Sequence, residues 1–238
     1  VQWLQVENLI GESEVWSIAA RNQGDVALDV VLGNPAEEYP DVYRLVDVSK
    51  VRDVRLTIHL APGFLKALRL AASLLLPVRL LPLEQPSEEV VAELKEAVDF
   101  YLHDPQVEMP IDFFHSALAS ARGLAVGDLW MILQQDPGRY PSFDESGAQV
   151  FRGDLGGRDT STFYADHLKA LVDGGAECAK CSWREFCSGY FKLPDPNYSC
   201  AGLIEVLGRL RTAAAEIESD LTGLDRRDRG AENPARDQ

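Results

Sequence analysis

All four cysteines of the chain fall in one window, "CAKCSWREFCSGYFKLPDPNYSC", from Cys178 to Cys200, and no cysteine precedes it. Their spacing is C-x2-C-x5-C-x12-C. Two residues between Cys178 and Cys181 let the backbone turn so that both sulfurs face one centre. Cys187 follows after a short helical or loop segment, and Cys200 closes the set from beyond the proline-punctuated loop "KLPDPNYS". Four thiolates complete the ligand set of a tetrahedral zinc ion or of a 4Fe-4S cluster, and the count fits both. Spacing alone slightly favours zinc, because four-cysteine zinc sites tolerate varied gaps. Two disulfides are the remaining use of four cysteines, and a reducing compartment disfavours them.

The compartment is read from composition. The 238 residues carry 46% hydrophobic and 26% charged side chains, which is ordinary for a globular chain with a sizeable core. A formal net charge of −15 gives the surface the wrong sign for nucleic acid phosphates or anionic lipid. The longest apolar run, "LRLAASLLLPVRLLPL", is broken by arginines and prolines, so no membrane span is expected. The start, "VQWLQVENLIGESE", lacks a basic region and reads as a trimmed N-terminus rather than a signal peptide. The expectation is a cytoplasmic protein.

Elements follow from periodicity. "VWSIAA" and "VALDVVL" read as strands around the Gly24-Asp25 turn signal, and "NPAEEYPDVYRLVDVSK" as a short, irregular helix with Asn34 as cap and Pro35 at its first position. "VRLTIHL" from 54 is a strand, the stretch after Pro62 a helix, "VRLLPL" from 78 a strand, and "SEEVVAELKEAVDFYLHD" a helix capped by Ser87. Strand–helix–strand–helix is the pattern of a parallel βαβ unit. "VEMPIDFF" reads as a further strand and "HSALASARG" as helix, closed at Gly123. After residue 137 a hairpin, "PSFDESGAQVFRG", and a helix ended by Gly174-Gly175 lead into the cysteines. The stretch "AGLIEVLGRLRTAAAEIESDL" is helical, and the charged segment 221–238 is expected to be a disordered tail. The division is thus an α/β domain over 1–137, a cysteine-bearing domain over 138–220 and a tail.

The C-x2-C-x5-C run with a distal cysteine resembles the auxiliary-cluster motif of the SPASM domain, the C-terminal extension of many radical SAM enzymes that modify peptides. The lead-in is similar too: a hairpin, the Gly-Asp-Leu step of "GDLGG", a helix, then the cysteines. The resemblance implies that Cys178, Cys181, Cys187 and Cys200 ligate one 4Fe-4S cluster. It implies an α/β fold in which a degenerate, partial radical-SAM-like (βα) barrel precedes a small SPASM-like iron-sulfur domain. The full family pattern has cysteines for two clusters, and this chain has ligands for one. A radical SAM core also needs a C-x3-C-x2-C loop, absent here because no cysteine precedes Cys178. The chain is therefore similar to the stand-alone SPASM companions of GeoRSP-type systems. The expectation is a non-catalytic partner that docks on a radical SAM maturase, binding its peptide substrate or relaying electrons. A zinc-binding adaptor is the first alternative, and an enzyme whose catalytic motif lies upstream of this sequence is the second.

Other chemistry is sparse. His59, His103, His115 and His167 are scattered, with His59 at a strand end, and there is no H-E-x-x-H, P-loop, dinucleotide fingerprint or nucleophile elbow. Within the window, Lys180 and Arg184 offset thiolate charge, while Trp183, Phe186, Tyr190 and Phe191 exclude water or simply form the local core.

Overall fold

A computed structural model describes residues 3–22, 24–136, 139–140, 142–143, 149–150 and 162–231. The fold is mixed α/β, built on a parallel sheet of β1 (Trp3–Glu7), β2 (Ala27–Leu32), β3 (Val54–His59) and β4 (Val78–Leu81) in the order β1-β2-β3-β4. Each strand pairs with its predecessor, as in Leu28↔Val54 and Leu56↔Val78. The order never reverses, unlike that of a doubly wound sheet with its switch point. A single parallel bridge, Val78↔Ile111, continues the series beyond β4.

Period-two alternation gives the sheet two different faces. Leu28, Val30, Leu32, Leu56, Ile58, Val78 and Leu80 join the main apolar core, together with Phe64, Leu65 and Leu68 of the helix after β3. The opposite face carries Asp29, Arg55, Thr57 and Arg79, all buried. Asp29 Oδ2 accepts hydrogen bonds from Arg55 Nη2 at 2.8 Å and Arg79 Nη2 at 2.7 Å. Thr57 Oγ1 donates to Asp29 Oδ1 and accepts from Arg79 Nε at 3.0 Å. Arg79 Nη1 reaches Gln134 Oε1 at 2.7 Å, and the Arg55 guanidinium lies over the Trp3 ring, 4.5 Å from its centroid. Buried charges are tolerated only when matched in this way.

The connections are helical: α1 (Ser13–Arg21), α2 (Pro35–Glu38) and α3 (Leu45–Ser49) with a 3₁₀ turn (Tyr39–Arg44) between them, then α4 (Phe64–Ser73) and α5 (Glu88–His103). Ser87 caps α5, its hydroxyl accepting from Val90 N at 3.3 Å. No side chain at its own N-terminus caps α4; instead Glu93 of α5 accepts from Gly63 N at 2.6 Å and Leu65 N at 3.0 Å, satisfying two orphan donors. Beyond α5 lie α6 (Asp112–Ala121), α7 (Leu129–Ile132), the antiparallel pair β5 (Ser142–Phe143) and β6 (Gln149–Val150), α8 (Phe163–Asp173), α9 (Arg184–Cys187) and α10 (Ala201–Ala231).

Four sequence expectations change. "VWSIAA" is helix α1: a short apolar run does not separate strand from helix, and here Trp16 is buried while Ile18 is 45% exposed. Trp16 Nε1 also donates to Leu9 O at 2.8 Å, tying the helix to the turn before it. The first strand is instead "WLQVE", at the sheet edge. In "VEMPIDFF" only Ile111 bridges, and α6 begins at Asp112. Helix α10 runs on into the segment assigned to a tail, as far as Ala231. The hairpin stands as β5 and β6; its Ser146-Gly147 turn, the "GDLGG" step and the 137/138 boundary lie outside the described residues.

Helix α10 lies against α5 and α6. Gly202 allows the approach, because a Cβ there would sit 2.5 Å from Val91 Cγ1. Arg209 Nη1 pairs with Asp99 Oδ2 at 2.7 Å and Arg122 Nη2 with Glu218 Oε2 at 3.2 Å. Buried apolar residues form one cluster running from Ile10 through Trp130, Phe163, Trp183 and Tyr190 to Leu210, so sheet and cysteine segment share a core. Among the described residues no helix is long and apolar enough to cross a membrane.

Candidate metal centre

Every cysteine is delivered by a short element whose ends are set by local sequence. Helix α8 stops at Gly174-Gly175, with Gly175 at φ +76°, and a 3₁₀ turn (Glu177–Lys180) presents Cys178. Cys181 follows that turn, accepting a hydrogen bond at Sγ from Trp183 N at 3.4 Å. Cys187 ends α9, and Ser188 (φ +47°) and Gly189 (φ +74°) then reverse the chain. A second 3₁₀ turn (Tyr190–Lys192) aims the backbone amides of Phe191 and Tyr190 at Cys187. Cys200 precedes α10, and its carbonyl accepts from Ile204 N at 2.8 Å. A thiolate there has the favourable, positive end of a long helix beside it.

These paths converge. Cys178, Cys181, Cys187 and Cys200 line one partly enclosed hollow of about 30 Å³, completed by Phe191, Leu203 and Leu207. That is more than the ~10–15 Å³ occupied by one water. None of the four is in a disulfide. Among the described residues, no three Cys, His, Asp or Glu side chains are close enough together to hold a single metal ion. A tetrahedral zinc with bonds of ~2.3 Å draws its sulfurs to about 3.8 Å from one another. The thiols thus surround a common space without closing on one point.

Burial governs the charge state of the thiols. Burial pushes the Cys187 thiol up to about 11 and raises Cys178 and Cys200 as well. At these three cysteines burial favours the neutral thiol, and forming a thiolate there calls for a compensating positive charge. Part of that charge is built in: Lys192 is 4% exposed, its Nζ 2.7 Å from Glu177 Oε1, and it lowers the Cys178 and Cys200 values that burial raises. Glu177 also accepts from Cys200 N at 2.9 Å, joining the first and last cysteine segments.

The site is braced against the sheet. Trp130 of α7, 1% exposed, donates from Nε1 to Ser188 O at 3.0 Å and packs edge-on to Tyr190 at 4.8 Å. Tyr190 Oη donates to Pro82 O at 2.9 Å, just beyond β4. His167 of α8 stacks on Phe163 and sits 3.2 Å from Gly189 O, so this histidine supports the turn after Cys187. His59 stays at the end of β3, away from the cysteine hollow, and His103 and His115 do not line it either. Trp183 and Phe186 pack together at 5.7 Å, and Trp183 also lines the hollow.

Sequence reasoning names His167 only among the scattered histidines and does not single out Lys192 or Trp130. For Lys192 a signal existed: a lysine between apolar residues in "YFKL" has a neutralising partner if it is buried. The Asp29–Arg55–Arg79 network had the same signal, isolated charges within apolar strands. Comparison with protein-family models, with curated proteins and with solved structures finds no match to this chain.

Proposed function

We propose that the chain is a 4Fe-4S-binding, SPASM-like partner of a radical SAM enzyme in peptide or protein maturation, non-catalytic in itself. The supporting observation is the convergence of all four thiols on one hollow. The cluster would be held by Cys178, Cys181, Cys187 and Cys200 and would supply one-electron chemistry. The protein's own part is to exclude water with Phe191, Leu203 and Leu207, to offset thiolate charge with Lys192, and to direct backbone N–H groups at sulfur. Each of these tunes a potential. The strand order β1-β2-β3-β4 agrees with a barrel segment as the docking body, since closure into a barrel requires strands in unbroken sequence.

The test is redox behaviour. Anaerobically purified protein should be brown, bleach on dithionite addition and give a reduced-cluster electron paramagnetic resonance signal. Cys187→Ala should lose iron and amide protection around residues 162–205 while the sheet stays protected. A colourless, redox-silent protein with one zinc would replace this reading with the adaptor.

A further inference from the structure

Cys200 reaches the hollow from the far end of a twelve-residue connection after Cys187, so its placement depends on how that connection is held. Several points of it are tied to the segment that follows β4. Gln85 Nε2 donates to Phe191 O at 3.1 Å and to Asp195 O at 2.8 Å, and Tyr198 Oη donates to Pro86 O at 2.8 Å. None of these bonds is to Cys200 itself. The Cys200 N–H donates instead to Glu177 Oε1 at 2.9 Å, and Glu177 precedes Cys178 and lines the hollow. Cys200 stands at the N-cap of α10, so this carboxylate takes the N–H that a capping-box glutamate would take from within the helix.

A bare carboxylate in that place works against the site, because its charge repels the thiolates of Cys178 and Cys200. Lys192 removes the conflict. Its Nζ lies 2.7 Å from the same Glu177 oxygen and also donates to Tyr198 O, two residues before Cys200. One lysine and one glutamate therefore join three stretches of chain: the turn that presents Cys178, the turn after Cys187, and the end of the connection to Cys200.

We propose that Glu177 is the positioning residue for Cys200, and that Lys192 is the counter-charge that lets a carboxylate serve there. The inference rests on the four-cysteine site above and adds two side chains outside the ligand set on which its metal affinity depends. Hydrogen-bonding partners behind metal ligands typically carry about 10–100-fold in affinity. The two roles separate by substitution: an amide at 177 keeps the oxygen for Cys200 N and needs no counter-charge, whereas a methyl group keeps neither.

The experiment titrates cobalt(II) into the full chain, reduced and stripped of metal, and follows the thiolate-to-cobalt charge-transfer band, whose intensity scales with the number of bound thiolates. Wild type should give a four-thiolate spectrum. Glu177→Ala should bind about 10–100-fold more weakly and fall to the three-thiolate spectrum of Cys200→Ala. Glu177→Gln should stay close to wild type. Lys192→Met should weaken binding, and adding Glu177→Gln to it should restore much of the loss. In the Cys200→Ala background, Glu177→Ala should cost nothing further, a coupling that a merely structural residue does not show. Wild-type affinity with four thiolates in Glu177→Ala, equal losses from Glu177→Ala in both backgrounds, or a Glu177→Gln as weak as Glu177→Ala would each overturn the assignment. Cobalt takes a four-thiolate site whether its own occupant is a cluster or zinc, so an error in the cluster reading leaves this test intact. A wild-type chain without any thiolate-to-cobalt band would remove the four-cysteine site on which both rest.

Discussion

Asp29→Asn tests how the polar face of the sheet is held. The substitution keeps shape and removes one negative charge shared by two guanidinium groups, at 2.8 Å from Arg55 and 2.7 Å from Arg79. Asp29 is 2% exposed and Arg79 3%, so water cannot replace the lost anion. An asparagine oxygen accepts from one arginine, while its amide confronts donors on Thr57 or the other arginine. Breaking a buried pair in this way costs about 3–5 kcal/mol. That is a large part of the ~5–15 kcal/mol typical of a folded domain. With an m-value of roughly 3 kcal/mol/M, the urea midpoint should fall by about 1 M or more. Urea melts followed by tryptophan fluorescence, on samples of equal metal content, provide the assay. The triple variant Asp29→Leu/Arg55→Met/Arg79→Met should recover much of the loss, since apolar packing replaces such networks at little cost. An Asp29→Asn protein within about 0.5 kcal/mol of wild type would refute the argument, that being the scatter of unremarkable surface changes.

Gly189→Ala should destabilise the cysteine segment by about 1–3 kcal/mol, since φ is +74° and the new Cβ would meet Leu171 Cδ1 at 2.8 Å. Thermal melting should drop by several degrees with partial metal loss; unchanged melting would show that the turn tolerates a side chain. His59 titrates below its ordinary value because burial outweighs the attraction of Glu7, with Arg79 adding to the depression. The unfolded chain therefore binds this proton at higher pH than the folded one. Stability is intact above the ordinary histidine value of about 6.5 and is lost as pH falls through the lower, folded value. In His59→Asn, melting temperatures between pH 7 and 5 should decline less than in wild type; parallel curves would contradict the assignment.

The regular part of the fold was legible because periodicity and caps agreed: β3, α4, β4 and α5 lie where alternation, Pro62 and Ser87 place them. The misreadings have a common cause. "VWSIAA" and "VEMPIDFF" are short apolar stretches whose conformation is decided by tertiary contacts, by Trp16 docking in one case and the lone Ile111 bridge in the other. The edge strand β1 was hidden for a related reason, since "WLQVE" is too short to show its period and pairs on one side only. In the site, the four cysteines were readable from spacing. Their braces were only partly so: Tyr190 lies inside the window, while Trp130 and His167 approach from other elements across sequence gaps that no local pattern spans.

The central claim is that Cys178, Cys181, Cys187 and Cys200 hold one 4Fe-4S cluster. Its most direct measurement is iron, acid-labile sulfide and zinc counted in the same anaerobically purified sample. The account predicts about four iron and four sulfide per chain with negligible zinc. One zinc per chain with neither iron nor sulfide would contradict it.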